Sequence, residues 1–269
     1  MRNSSFPKNA LALICFGFLS GNCLAIEPET GPNPWLKQTG IEPRRTEVTD
    51  PLEFARIKAT GNDVDPQFSR GRDTELIEAS GSSDPKLVER LLKEGANANT
   101  VNVQLMRPII QAARNGSVEI LRMLLDNGAD PNVKYQGFTP LGIAALSGYH
   151  HVADLLIRAG AHLDMKADNG FTPLMNAALM NHQRTVEVLL RNNPDIESVN
   201  REGMTALSIA AAEGHTESLE AMLKHGVDPN LIDRNKNPPL FWAVFRGQRG
   251  AIRVLLEYGA VAGTMSVDL

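Results

Sequence analysis

Cysteine is almost absent from this chain. Its 269 residues include two, Cys15 and Cys23, both within the first 25 positions. A chain cut after Ala25 carries no thiol, so it can form no disulfide, and an oxidising compartment would leave its folding unaffected. Aromatics are sparse at 5%, a composition that suits helices packed through Ala and Leu. A basic stripe is missing too. Twenty-seven Lys and Arg stand against 31 Asp and Glu, a formal net charge of −4, which argues against nucleic acid as a partner. No apolar run reaches the roughly 20 residues that a membrane-spanning helix needs. There is no glycine-rich phosphate loop and no helical histidine pair around a Glu. His150 and His151 are adjacent, point apart on a helix and have no Cys beside them, so no metal is expected. His162, His182 and His225 lack acidic and nucleophilic partners, and Ser80, Ser147 and Ser208 fall on repeating positions. Neither catalysis nor a cofactor is expected from these residues.

The first residues have the pattern of an export signal. Arg2 and Lys8 supply a positive flank, Ala10 to Leu19 an uncharged apolar run, and Cys23-Leu24-Ala25 a small-residue cleavage site after Ala25. Residues 1–25 therefore read as a signal peptide, whose removal leaves no membrane span and 25 basic against 31 acidic residues. Export predicts a periplasmic protein. Secretion, or a lipid anchor on Cys23, is the alternative, although Asn22 stands where a lipid-attachment motif wants a small residue. Residues 26–72 read as a linker and a short cap. Pro28, Pro32, Pro34 and Pro43 favour extended backbone, and Trp35 is expected to tuck against the first repeat. Asp50-Pro51 then starts a short helix through Leu52, Phe54, Ala55 and Ile57 that shields the open end of a repeating region.

From residue 73 onward the chain is periodic. Phe138-Thr139-Pro140-Leu141 returns as Phe171-Thr172-Pro173-Leu174, then as Met204-Thr205-Ala206-Leu207 and Asn237-Pro238-Pro239-Leu240. Upstream it decays to Met106-Arg107-Pro108-Ile109 and Asp73-Thr74-Glu75-Leu76. The anchors Leu76, Ile109, Leu141, Leu174, Leu207 and Leu240 step by 33, 32, 33, 33 and 33 residues. A period of this length marks units that cannot bury an apolar face alone.

Each offset from the anchor has a physical task. Thr139, Thr172 and Thr205 cap a first helix, and the following Pro fits its first turn. Three residues on, an Ala lets neighbouring helices approach. Seven on, Gly116, Gly148, Asn181, Gly214 or Gly247 reverses the chain, since these residues tolerate positive φ. Apolar pairs from Leu91-Leu92 to Leu255-Leu256 mark the buried stripe of a second helix, which Gly or Asn then ends. Opposite charges four apart, from Glu89/Lys93 to Arg253/Glu257, mark that helix's solvated side; each pair contributes about 0.2–0.5 kcal/mol.

Residues 73 to about 263 resemble an ankyrin-repeat array, on the strength of Thr-Pro-Leu, the Ala column, Gly214-His215 and the Gly128–Asn132 closing turn. The fold this implies is all-α: a solenoid of about six helix-turn-helix units over 73–269, with β-hairpin fingers. Arg107 in place of Thr, Asn193-Pro194 in place of Gly-Ala, and a finger one residue short before Leu141 depart from the pattern. His215 matches a family position where the imidazole braces the loop. The resemblance implies contacts through finger tips and first-helix ends. Carried over, it gives Tyr135, Phe138, Phe171 and Met204 on fingers and Leu146, Leu179, Met180, Phe245 and Arg246 on helix ends, all expected at the surface, with Asp168, Arg201, Arg234, Asn237 and Glu213 beside them. It implies a non-catalytic scaffold, monomeric when free, that binds one protein partner. For an exported chain the expected partner is a co-exported toxic enzyme such as a phospholipase, held inhibited in the manner of an immunity protein. A helper for a periplasmic enzyme such as a catalase, or an unrecognised hydrolase, are the alternatives.

Overall fold

The computed structural model describes residues 71–82 and 84–262. The expected signal peptide, the expected linker with Trp35 and the expected capping helix lie outside the described residues. Twelve helices form among them, pairing as α1 (Arg72–Ser82) with α2 (Pro85–Lys93), α3 (Pro108–Asn115) with α4 (Val118–Asp126), and α5 (Pro140–Ser147) with α6 (His150–Arg158). The series continues with α7 (Pro173–Leu179) and α8 (Gln183–Leu190), α9 (Ala206–Glu213) and α10 (Thr216–Lys224), and α11 (Pro239–Phe245) and α12 (Arg249–Glu257). They belong to one compact unit, Arg70–Leu269.

The first helices start where the threonines stand. Thr139 Oγ1 accepts from the Gly142 N–H at 3.0 Å, Thr172 from Met175 at 3.3 Å and Thr205 from Ser208 at 3.2 Å. Arg107 and Pro238 offer no side-chain acceptor, so α3 and α11 begin without such a bond. α1 begins at Arg72, which puts Thr74 inside the helix rather than at its cap. Gly116, Gly148 and Gly214 end α3, α5 and α9 in the left-handed region, at φ of 69°, 74° and 75°, and Asn181 takes the same role at φ 56°.

First helices stack on first helices and second helices on second helices along the array. The alanines three residues past each anchor, Ala79 to Ala243, are at most 2% exposed. With no side chain beyond Cβ, they let backbones close to a distance that a larger residue would block. Leu91, Leu124, Leu156, Leu189, Met222 and Leu255 line the layer between first and second helices, each at most 1% exposed. Burying such a side chain stabilises by about 1.5–3 kcal/mol.

No strand forms among the described residues, which corrects the expected β-hairpin fingers to tight turns. The exception in kind is a single antiparallel bridge, Tyr135 to Phe138, with reciprocal backbone bonds of 2.9 and 3.0 Å. Its two-residue loop, Gln136-Gly137, has φ of 48° and 81°, the double positive φ of a type I′ hairpin turn. The other fingers close over three residues, as in Asn200 N–H to Met204 O at 3.0 Å and Asp233 N–H to Asn237 O at 3.0 Å. Asx side chains satisfy the remaining amides there: Asn200 Oδ1 accepts from Met204 N–H and Asp233 Oδ1 from Asn237 N–H, each at 2.9 Å. Backbone groups served this way have no need of a ladder.

Three of the charge pairs close on the second helices: Glu89/Lys93 at 2.7 Å, Asp154/Arg158 at 2.8 Å and Glu220/Lys224 at 2.6 Å. In all three the acid precedes the base, the order that agrees with the helix dipole. Arg122/Asp126 and Arg253/Glu257 have the reverse order and do not pair. In the sixth, Glu187 accepts from Gln183 Nε2, and Arg191 Nε donates to the Glu187 carbonyl instead of its carboxylate.

Leu156→Ala is expected to cost about 2–5 kcal/mol by leaving a cavity, read from chemical denaturation. Thr185 is fully buried on α8 with a hydroxyl that has no hydrogen-bond partner. Thr185→Val is therefore expected to raise the melting temperature, because it removes a desolvated polar atom while keeping the volume.

Candidate protein-binding site

The residues expected at the surface divide into three groups. Leu146, Phe171, Leu179 and Met204 are buried, at 3–6% exposure, which corrects their expected placement. Phe171 and Met204 close their fingers directly before the capping threonines, where a side chain turns into the layer between units. Leu146 and Leu179 lie on first-helix faces that the neighbouring unit covers, because the alanine column brings the helices so close. Tyr135, Phe138, Met180 and Arg246 are half-buried. Phe245 alone of the nine is fully open, at 65%.

The charged finger residues Asp168, Arg201 and Arg234 are exposed yet committed to their neighbours. A Cβ on Gly137 would lie 2.4 Å from Asp168 Cγ, one on Gly170 would lie 2.9 Å from Arg201 N, and one on Gly203 would lie 2.9 Å from Arg234 Cβ. These three finger tips are bare glycine backbone on which the next finger rests. The Arg234 amide also donates to Gly203 O at 2.9 Å.

The last unit holds a feature outside the repeating motif. Phe241, Trp242 and Phe245 form a ring cluster on α11, with centroids 5.4, 5.9 and 6.2 Å apart. Buried Asp233 orients it, accepting the Trp242 indole N–H at 2.9 Å through Oδ2. Beside the cluster, Val244 is 47% exposed. Its counterparts in the other units are Ser80, Ala113, Ala145, Ala178 and Ala211, all buried. The signal was legible as the run Phe241-Trp242-Ala243-Val244-Phe245, which concentrates aromatics on one helix and puts Val244 into a column that elsewhere carries Ser or Ala.

Among the described residues no group of three His, Cys, Asp or Glu could hold a metal ion, and no helix is long and apolar enough to cross a membrane. The arrangement offers rings, aliphatic surface and guanidinium groups, which is recognition chemistry.

The family model for ankyrin repeats (3 copies) matches residues 57–135, 76–167, 131–200 and 174–265. This chain belongs to the ankyrin-repeat family. It is 36% identical over 103 residues to human Ankyrin repeat and KH domain-containing protein 1, a match covering 37% of this chain and 4% of that protein. It is 37% identical over 93 residues to Cyclin-dependent kinase inhibitor 2A of Monodelphis domestica, covering 34% of this chain and 54% of the other. The chain thus spans only a small part of the large human relative and about half of the opossum one. A crystal structure of an ankyrin repeat domain from Acinetobacter baumannii AYE superimposes with a TM-score of 0.63 at 28% identity, covering 70% of this chain and 98% of that one. As a family, ankyrin repeats are protein-interaction modules, and the fold makes this chain a protein-binding scaffold.

In the last three units the ankyrin loops are braced by the residue eight positions past the anchor. His182 Nε2–H donates to Leu146 O at 3.0 Å, His215 Nδ1–H to Ala178 O at 3.1 Å and Gln248 Nε2–H to Ala212 O at 3.1 Å. The bracing of His215 expected from the family is thus one member of a series. Burial holds the His182 imidazole below its ordinary pKa; the bond to Leu146 opposes this and neighbouring His215 reinforces it. The folded state therefore binds protons less readily than the unfolded chain. Stability from His182 is fully present above about pH 6.5 and is lost as pH falls through the lowered folded value. Melting temperature is expected to drop over that window. His182→Gln, which can donate to the same carbonyl as Gln248 does, is expected to flatten the pH dependence while leaving the neutral-pH melting temperature nearly unchanged.

Proposed function

We propose that this ankyrin-repeat chain is exported to the periplasm, binds one protein there, and holds a co-exported toxic enzyme, such as a phospholipase, inactive until it leaves. The export pattern of residues 1–25 supports the compartment. The observation that carries the binding is Phe245 with Arg246 at the end of α11: an open aromatic beside a guanidinium group, the residue types that anchor protein interfaces. Phe245 is 65% exposed in a chain that buries nearly every other large apolar side chain of its first helices, and an apolar patch kept open on a folded protein marks a contact surface. A scaffold of this kind inhibits by covering an active site or its entrance and needs no chemistry of its own.

Phe245→Ser combined with Arg246→Ala is expected to lower capture of the partner enzyme by at least about tenfold with the helical circular-dichroism signal unchanged, and to lower the melting temperature only slightly, through the lost ring contacts to Phe241 and Trp242. Phe171→Ser is the contrasting control: it lowers the melting temperature first. Expressing the partner without this chain separates inhibition from assistance. Envelope damage supports inhibition, whereas a merely inactive enzyme, a catalase for example, shows a helper. Turnover of ester substrates by the purified chain alone would overturn the scaffold reading.

A further inference from the structure

The two ends of the described stack differ in character. At the first described unit, positions that later units bury or half-bury carry charge: Glu75 and Glu78 are exposed, and Glu75 pairs with Arg90 at 3.8 Å. At the last unit the corresponding outer positions are apolar. Val244, Phe245 and Leu256 are 47%, 65% and 48% exposed, with half-buried Phe241 beneath them. In no other described unit is the residue in the Val244, Phe245 or Leu256 column exposed.

The rim of this face, where it meets the solvated side of α12, is cationic. Arg249, Arg253 and Leu256 are spaced i, i+4 and i+7 on α12, so they share one stripe. Arg249 and Arg253 are exposed, and neither forms an ion pair among the described residues. The nearby Glu257 leaves Arg253 unpaired.

We propose that the outer face of the last unit docks an acidic amphipathic helix of the partner protein. The inference rests on the protein-binding reading above and adds where and what the scaffold grips. Shape favours a helix, because the same columns in the other five units are covered by the helix pair of the next unit. Charge favours an acidic one. A second copy joined through this face by a twofold axis would bring Arg249 and Arg253 against their own counterparts. A copy joined head to tail would press Glu75 and Glu78 onto aromatic rings.

The chain has two tryptophans, so in the exported protein carrying Trp35→Phe the emission of Trp242 reports on this face. The probe is a synthetic 18-residue helix with leucines at helical spacing and Glu and Ala elsewhere; its control has Lys for each Glu. The Glu peptide is expected to shift Trp242 emission saturably, with salt weakening it, and the Lys peptide to have no effect. Arg249→Glu with Arg253→Glu is expected to weaken the Glu peptide at least about tenfold and to admit the Lys peptide, at an unchanged melting temperature. Equal binding of both peptides, no saturable change, or a concentration-dependent dimer that Val244→Ser abolishes would overturn the proposal. Undiminished capture of the partner enzyme by the doubly reversed variant would also overturn it, while leaving the scaffold reading in place.

Discussion

The whole stack depends on a column of alanines. Ala79, Ala112, Ala144, Ala177, Ala210 and Ala243 recur on the faces where first helices meet, and all are essentially inaccessible to water. A helix of seven or eight residues is too short to persist by itself in water. Here each such helix is held because its neighbour lies close on both sides and because a second helix closes the layer behind. Enlarging one alanine would push a pair of adjacent helices apart and, through them, the fingers that rest tip to tip. Stability in such an array resides at the seams between units more than within any one of them.

Much of this architecture is legible in the sequence because it is local. The threonine caps, the prolines beside them and the glycine ends report on the backbone of their own turn, and the structure puts helix boundaries where those residues predict. Exposure is a different kind of property. Whether Phe171 or Met204 meets solvent depends on how closely the adjoining unit packs, which one unit's residues do not state. The same holds for Leu146 and Leu179. Trp242 and Val244 escape a reading by recurrence for the opposite reason: they depart from the motif, and recurrence passes over what fails to recur. The charge pairs add a subtler point. Spacing alone marks six, but the direction of the helix separates those that close from the two whose base comes first.

The ends of the array use opposite solutions to one problem. A terminal unit has a face that interior units bury. At Glu75 and Glu78 the first described unit is charged and exposed. At Phe245 and Leu256 the last described unit is apolar and bordered by Arg249 and Arg253, which form no ion pair among the described residues. The rings of this cluster are nonetheless restrained, since Asp233 accepts from the indole and the rings pack on each other. A rigid aromatic surface loses little freedom on contact, so the association it supports is not diminished by ordering costs.

The shortened finger at Tyr135 and Phe138 bears on how such chains vary. Losing one residue there changes the turn from a three-residue loop to a two-residue one, and the helices on either side keep their packing. Length variation is absorbed at a tip where no neighbouring helix registers it. That tip therefore accommodates the loss of a residue, altering the contour while the helical framework beneath stays unchanged and Asp168 still seats on Gly137.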